Sequence, residues 1–373
     1  MIRQFDNVVK FAELNKGTEA GTLVSKAEDF AKHKINEMYG NKYSVETMDR
    51  EGKAIDLVGK GEKLHAIFMA ELERRSGVKR SDFVGDMVSY AMQPTVSATY
   101  SAMNKIIVDA MIPIFYAQTS LNLIATTHFG GYGDVFEFEV GSSNLYSASR
   151  VGRGQKHLKA QARKKTTKTI ATEAYGLTSI TTVAEILSNR VNIAEESVTQ
   201  ARSMAYKIYA VAVDKFKTET ELIDGTAYCL TNFAEGTFLE LMRKGSAVAG
   251  EKLTIIGDAV ALKTLLPASA WTRIDLGDAF NTSTGYMTVW NGYNVLAFDV
   301  VSDGTIEGIV GLPTDRIYGL ALGDKGVHIG LGATMAIADG MFDNNDLSVN
   351  TTLIKEIGVE IASTTHPVMC KLA

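Results

Sequence analysis

Between Val140 and Thr172 the chain carries Arg150, Arg153, Lys156, Lys159, Arg163, Lys164, Lys165 and Lys168, and no aspartate or glutamate. Like charges at this density repel one another and resist removal from water, so the stretch cannot enter the protein's own apolar interior unpaired. It lies between two runs of strand character. Val135–Val140 alternates apolar and acidic residues, the period of a strand with one covered face and one wet face. Thr166–Tyr175 is rich in threonine and can return antiparallel to it. The separation is too long for a tight turn. A long basic hairpin that reaches beyond its own core is the expectation.

Two partners suit such a hairpin. Lysine and arginine neutralise nucleic-acid phosphates, or they dock on an acidic face of a neighbouring copy. Asp and Glu number 43 against 38 Lys and Arg, a formal charge of −5, so the chain itself supplies acidic surface. Aromatic residues for base stacking are scarce, with Tyr146 the nearest. The contact is therefore read as intersubunit, through Arg150, Arg153, Lys156, Lys159, Arg163 and Lys164. A solvated loop is the plain alternative.

The chain has 373 residues, more than one compact core accommodates, so two or three packed units are expected. Hydrophobic content of 46% against 22% charged excludes global disorder. Cys229 and Cys370 form no CxxC pair, which argues against a disulfide scaffold or thiolate zinc site and fits a reducing cytoplasm. The start, MIRQFDNVVKFAEL, places charges where a signal peptide needs its apolar stretch. Ile106–Tyr116 is far short of a membrane span and contains Asp109 and Pro113. A soluble protein with no membrane partner is expected.

The first 90 or so residues read as helical and polar. Lys60–Arg75 carries Leu64, Ile67, Phe68 and Leu72 at helical spacing, with Gly77 just beyond the end. Its narrow apolar stripe suits docking on a neighbour. From Met92 to Thr127 the chain reads as more apolar and extended, with Pro94 and Pro113 limiting helix length. Thr182–Glu185 and Asn192–Glu195 have capping-box spacing. The second opens a helix to about Lys217, roughly 35–40 Å long, with Val191, Ala194, Val198, Ala201, Ala205, Ile208 and Ala212 along one stripe. Thr218–Asn345 reads as an α/β unit. It holds a third capping box at Thr237–Glu240, a buried strand at Leu253–Ile256, and a helix from Gly257-Asp258 to Pro267. Further strands are expected at Asn294–Val301 and Arg316–Leu322. Ile357, Val359 and Ile361 alternate near the C-terminus.

Catalytic patterns are missing. There is no P-loop and no GxSxG elbow. Gly152 and Gly154 begin a GxGxxG that ends on His157. None of the six histidines sits at HxxxH spacing from another, and His328 is read as a solvent-side strand residue. Asp343–Asp346 lacks the spacing and glycine of a calcium loop. No catalytic residue, cofactor or metal is assigned.

The order of elements resembles the major capsid proteins of tailed bacteriophages, whose fold is shared by encapsulin shells. The resemblance rests on YGLTSIT at Tyr175–Thr181, AEILSNR at Ala184–Arg190 with the helix to Lys217, RIYGLALGDK at Arg316–Lys325, and the tail from Ile357 to Leu372. It implies an α+β phage major-capsid fold. Residues 1–94 become an N-terminal arm, mostly helical, and 95–129 its connection to the peripheral domain. The extended β-hairpin loop takes 130–175, the peripheral domain with its long spine helix 176–217, the axial domain 218–345, and the closing strand of the peripheral domain 346–373. The arm is unusually long, and the Lys60–Arg75 helix is expected to dock on the shell. The implied function is self-assembly, through pentamers and hexamers, into an icosahedral virion shell made in the host cytoplasm. The shell encloses double-stranded DNA without sequence preference, with scaffold, portal or decoration proteins as further partners. An encapsulin-type nanocompartment is the alternative, and a multidomain α/β enzyme with a site assembled from distant residues is the reading from another class.

Overall fold

The computed structural model describes residues 19–38, 57–83, 86–141, 165–179, 185, 188, 190–265, 289–302, 308–322, 326–338, 351–361 and 367–372. Helices α1 (Glu19–Met38) and α2 (Leu57–Ser76) lead through a 3-10 turn at Arg80–Phe83 and short α3 (Met87–Ala91) into α4 (Pro94–Ala117). Gly77 ends α2 with a φ of 71°, the left-handed geometry glycine adopts without a Cβ clash. Leu64, Phe68 and Leu72 are buried, and Phe68 meets Tyr100 of α4 edge-on at 5.5 Å. The stripe expected to dock on a neighbour therefore packs inside its own chain.

α4 corrects the extended reading of Met92–Thr127. Pro94 occupies the first turn, where its missing N–H is unpaired in any helix, and Pro113 lies inside the helix, which continues past it to Ala117. After α5 (Leu121–Ile124) come β1 (Ala125–Phe129), β2 (Phe136–Gly141), β3 (Lys165–Ile170) and β4 (Thr172–Ser179). Then α6 (Ile193–Glu221) begins as its sequence demands, with the Asn192 side chain accepting from Ala194 N at 2.9 Å. Its 29 residues span about 43 Å, and the expected stripe from Ala194 to Ala212 is buried. Asn104 of α4 donates to Gln200 of α6 at 2.9 Å and accepts from Ser197 at 3.2 Å, so a satisfied polar pin fixes the two helices within the apolar contact.

The remaining elements are β5 (Cys229–Thr231), α7 (Glu235–Ala249), β6 (Thr254–Gly257), α8 (Ala259–Leu262), β7 (Val289–Trp290), β8 (Tyr293–Ala297), β9 (Val301–Ser302) and β10 (Ile309–Val310). The chain continues through β11 (Arg316–Leu320), β12 (Val327–Leu331), β13 (Met335–Ala338), β14 (Thr351–Ile361) and β15 (Val368–Lys371). Thr237 is not the cap of α7. The helix starts at Glu235, and the Thr237 hydroxyl donates back to Ala234 O at 2.9 Å. Asp258 does cap α8, accepting from Val260 N at 2.7 Å. Thr182, Pro267 and Asp343–Asp346 lie outside the described residues.

Two sheets organise the fold. In the first, β14 pairs antiparallel with β4 along one side and with β13 and β12 along the other, and β1 adds parallel to β12. Side chains on β14 alternate between two layers. Leu353, Lys355, Ile357 and Val359 are buried on the side of the helices. Gly358 and Glu360 face β3. On the helical side, Lys355 Nζ lies 3.2 Å from Asp109 Oδ1 of α4 and 3.1 Å from Thr334 Oγ1, and Thr334 also donates to Asp109. The second sheet runs β5-β15-β11-β6-β8-β7. It packs against α7 around Phe238, Met242, Leu253, Ile255, Trp290 and Val368. The architecture is α+β, as the sequence implies.

Candidate functional site

The hairpin expected between Val135 and Tyr175 begins as a two-stranded ribbon. β2 and β3 pair antiparallel from Phe136↔Ile170 to Gly141↔Lys165, and neither pairs with any other strand among the described residues. The alternation of β2 does what its pattern predicts. Phe136, Phe138 and Val140 are buried with Ile170 in a small cluster of their own, while Glu137 and Glu139 are exposed. A ribbon this small covers little apolar surface, so its position depends on how its base meets the first sheet.

Glycine makes that meeting close. A Cβ at Gly330 of β12 would stand 2.7 Å from the Phe136 ring, and one at Gly358 of β14 would collide with the carbonyl of Ala171, between β3 and β4. The ribbon therefore rests on a surface pared down to backbone. Beside the glycines, the Phe138 ring stacks on His328 of β12 with centroids 3.8 Å apart and planes 13° from parallel. His328 Nδ1 in turn lies 3.1 Å from His128 Nε2 of β1. Burial pushes the His128 imidazole below its ordinary range. On the other flank Lys168 of β3 reaches Glu360 Oε1 at 3.2 Å and Ile361 O at 3.3 Å, and Lys215 of α6 lies 3.7 Å from Glu360 Oε2.

His328 was expected to face solvent. Instead it is half-buried between a second imidazole and an aromatic ring, because the parallel β1–β12 register places Thr126 beside it and His128 two residues along on the same face. Local spacing held no signal for this pair, whose members are 200 residues apart. Arg150, Arg153, Lys156, Lys159, Arg163 and Lys164 all fall between β2 and β3, outside the described residues, as do Tyr146 and His157.

Among the described residues no three His, Cys, Asp or Glu side chains gather as a metal site, and no helix is long and apolar enough to cross a membrane. Cys229 and Cys370 come to adjacent strands, which sequence distance hides. The register pairs Cys229 with Met369 and Cys370 with Leu230, so the thiols point to opposite faces of the sheet. Both are free, and burial pushes the Cys370 thiol up to about 12, which leaves it protonated and inert.

No protein-family model matches the chain, and no curated protein matches it. Solved structures do. The capsid of a native GTA particle is 14% identical over 68% of this chain and 90% of that one, with a TM-score of 0.48. The mature capsid of bacteriophage PhiM1 is 12% identical over 69% and 87%, with a TM-score of 0.42. A virus-like particle from Pyrococcus furiosus is 9% identical over 70% and 96%, with a TM-score of 0.37.

Proposed function

We propose that this chain is a shell subunit, a major capsid protein of the tailed-phage type that self-assembles around a genome. The observation that carries the reading is the ribbon. It is fixed at its base, both outer edges lack a strand partner among the described residues, and the chain that joins its strands is basic without a single acid. Strand edges without partners and long runs of one charge are features a closed monomer avoids. They are satisfied when the ribbon lies on another copy. The exposed Glu137 of β2 gives each copy an acid for the next copy's basic run.

In this reading, residues 130–175 form the extended loop over a neighbour, 176–217 the peripheral domain with its spine helix, 218–345 the axial domain, and 346–373 the closing strand. Residues 1–94 form an arm whose described helices dock on the subunit itself. Closed rings of five and six limit the number of contacts and make the product finite. Many modest contacts add by multivalency. Scaffold, portal and decoration proteins, and packaged double-stranded DNA, are the partners such a shell takes.

Electron microscopy and sedimentation of the full chain test the reading. Shells, or rings of five and six, are expected. The variant Arg150→Glu/Arg153→Glu/Lys156→Glu/Lys159→Glu is expected to stay small while keeping the wild-type circular dichroism spectrum. A charge-reversed chain that assembles like wild type refutes the assigned contact. A uniform small species that also fails to assemble under crowding refutes the shell. Shells filled with a cargo enzyme move the reading to an encapsulin-type compartment.

A further inference from the structure

Asn291-Gly292 is the one Asn-Gly dipeptide in the sequence, and it forms the turn between β7 and β8. Trp290 pairs with Tyr293 across it, and both central residues have positive φ, 46° and 79°, the signature of a type I′ turn. An asparagine followed by glycine carries its own reagent. The glycine nitrogen, with no Cβ on its residue to crowd it, can attack the asparagine side-chain carbonyl carbon and close a five-membered ring. The shut turn forbids that attack. In a left-handed residue ψ is about +47°, which sets Cβ and the following nitrogen on opposite sides of the Cα–C bond. The side chain is also held outward, with Asn291 Nδ2 donating to Glu235 Oε1 of α7 at 3.1 Å.

We propose that Asn291 is a guarded modification site, at which opening of the β7–β8 turn lets the chain deamidate itself and so record the opening irreversibly. The guard is slight. β7 has two residues and pairs with β8 alone among the described residues. Val289, Asn291, Gly292 and Glu235 are all exposed, so water reaches every part of the turn. When the pairing lapses, ψ of Asn291 rotates and Gly292 N meets Asn291 Cγ. The N–Cγ bond forms, the Cγ–Nδ2 bond breaks, and Nδ2 leaves as ammonia with the former Gly292 amide proton. Water then opens the ring at either carbonyl, giving aspartate or isoaspartate. Aspartate sets a carboxylate beside Glu235 where an amide had donated. The Lys252 ammonium can balance it, lying 3.4 Å from a Cβ built on Gly292 and 5.2 Å from the Tyr293 ring centroid. Isoaspartate is the lasting change. It runs the backbone through Cβ and Cγ, adding an atom to a turn in which two residues span the strands. Trp290, buried against Phe238 at 5.4 Å and Phe233 at 6.3 Å, then loses the pairing that seats it. The reaction needs one chain only, whether or not copies assemble.

Peptide mass mapping of the full chain, aged in mildly alkaline buffer both natively and in urea, tests the guard. Conversion at Asn291 is expected to run at least about tenfold slower in the native chain, because the Trp290–Tyr293 pairing and the Glu235 bond must break first. Glu235→Ala should speed native conversion and leave the rate in urea unchanged. Equal rates in native and unfolded wild type overturn the proposal, and so does a native chain that never converts. A folded Glu235→Ala chain that converts no faster than wild type overturns it as well. Should that variant not fold, hydrogen exchange of aged wild type decides. The isoaspartate fraction is expected to lose protection at Val289–Asn294 while α4 and α6 keep theirs, and full protection in that fraction refutes the record.

Discussion

The helical layer and the β2–β3 ribbon lie on opposite faces of one sheet, yet they are attached by different means. α1, α2, α4 and α6 join it through a continuous apolar core whose largest side chains, Phe68, Tyr100, Met103, Ile107 and Tyr209 among them, are almost wholly shielded from water. Among its described residues the ribbon is held by four buried apolar side chains, the stack of Phe138 on His328 and the bridge from Lys168 to Glu360. Apolar burial contributes about 25 cal/mol per Å² and carries no titratable group, whereas half-exposed ion pairs respond to both pH and salt. The layer is thus built to be permanent. The ribbon is held by fewer and more polar contacts.

The largest test of that contrast is Phe68→Ala. It should lower the free energy of unfolding by about 3–5 kcal/mol, read as a fall in the urea midpoint. A change under about 1 kcal/mol would mean that α2 is a detachable arm after all, and the contrast would collapse. Next comes Asp109→Ala, which leaves the buried Lys355 ammonium with Thr334 as its remaining hydrogen-bond partner among the described residues, at 3.1 Å. A loss of about 3 kcal/mol is expected, with Lys355→Met recovering much of it in the same background. If Asp109→Ala unfolds at the wild-type midpoint, the buried pair does not tie the layer to the sheet. The smallest effect belongs to Lys168→Ala. Its bridge to Glu360 joins side chains 37% and 23% exposed, so global stability should fall by less than about 1 kcal/mol, while exchange at β3 quickens. A loss as large as that for Phe68 would make the ribbon integral to the core.

The same contrast explains what the sequence revealed. Periodic elements were legible: the α6 stripe and its Asn192 cap, the alternation of β2, the buried β6, and the outline of β14. Each is written within one continuous stretch of chain, where spacing alone decides which side is wet. Pro94 and Pro113 misled because a first turn admits proline and because proline's cost in a helix interior did not stop the helix at Pro113. Thr237 misled because a hydroxyl three residues before a glutamate also fits inside a first turn. The turn joining β7 to β8 was readable and passed over. Asn291-Gly292, both with positive φ, is the dipeptide of a type I′ hairpin. The His128–His328 pair was not readable at all, because a parallel register between strands two hundred residues apart creates it. The basic run, by contrast, was plain in the sequence as a stretch of like charge, and among the described residues β2 and β3 pair with no other strand.

β14 and β15 have a consequence for the order in which this molecule comes into being. β14 is the strand that β4, β12 and β13 all require, and β15 sits between β5 and β11 in the other sheet. Both lie within residues 351–371. A nascent chain can form α4 and α6 early, but neither sheet can close until those residues have emerged from the ribosome. Until then β4, β5 and β12 wait with open edges, and the ribbon has no finished surface to rest on. Translation itself therefore holds both sheets open until the last strands arrive.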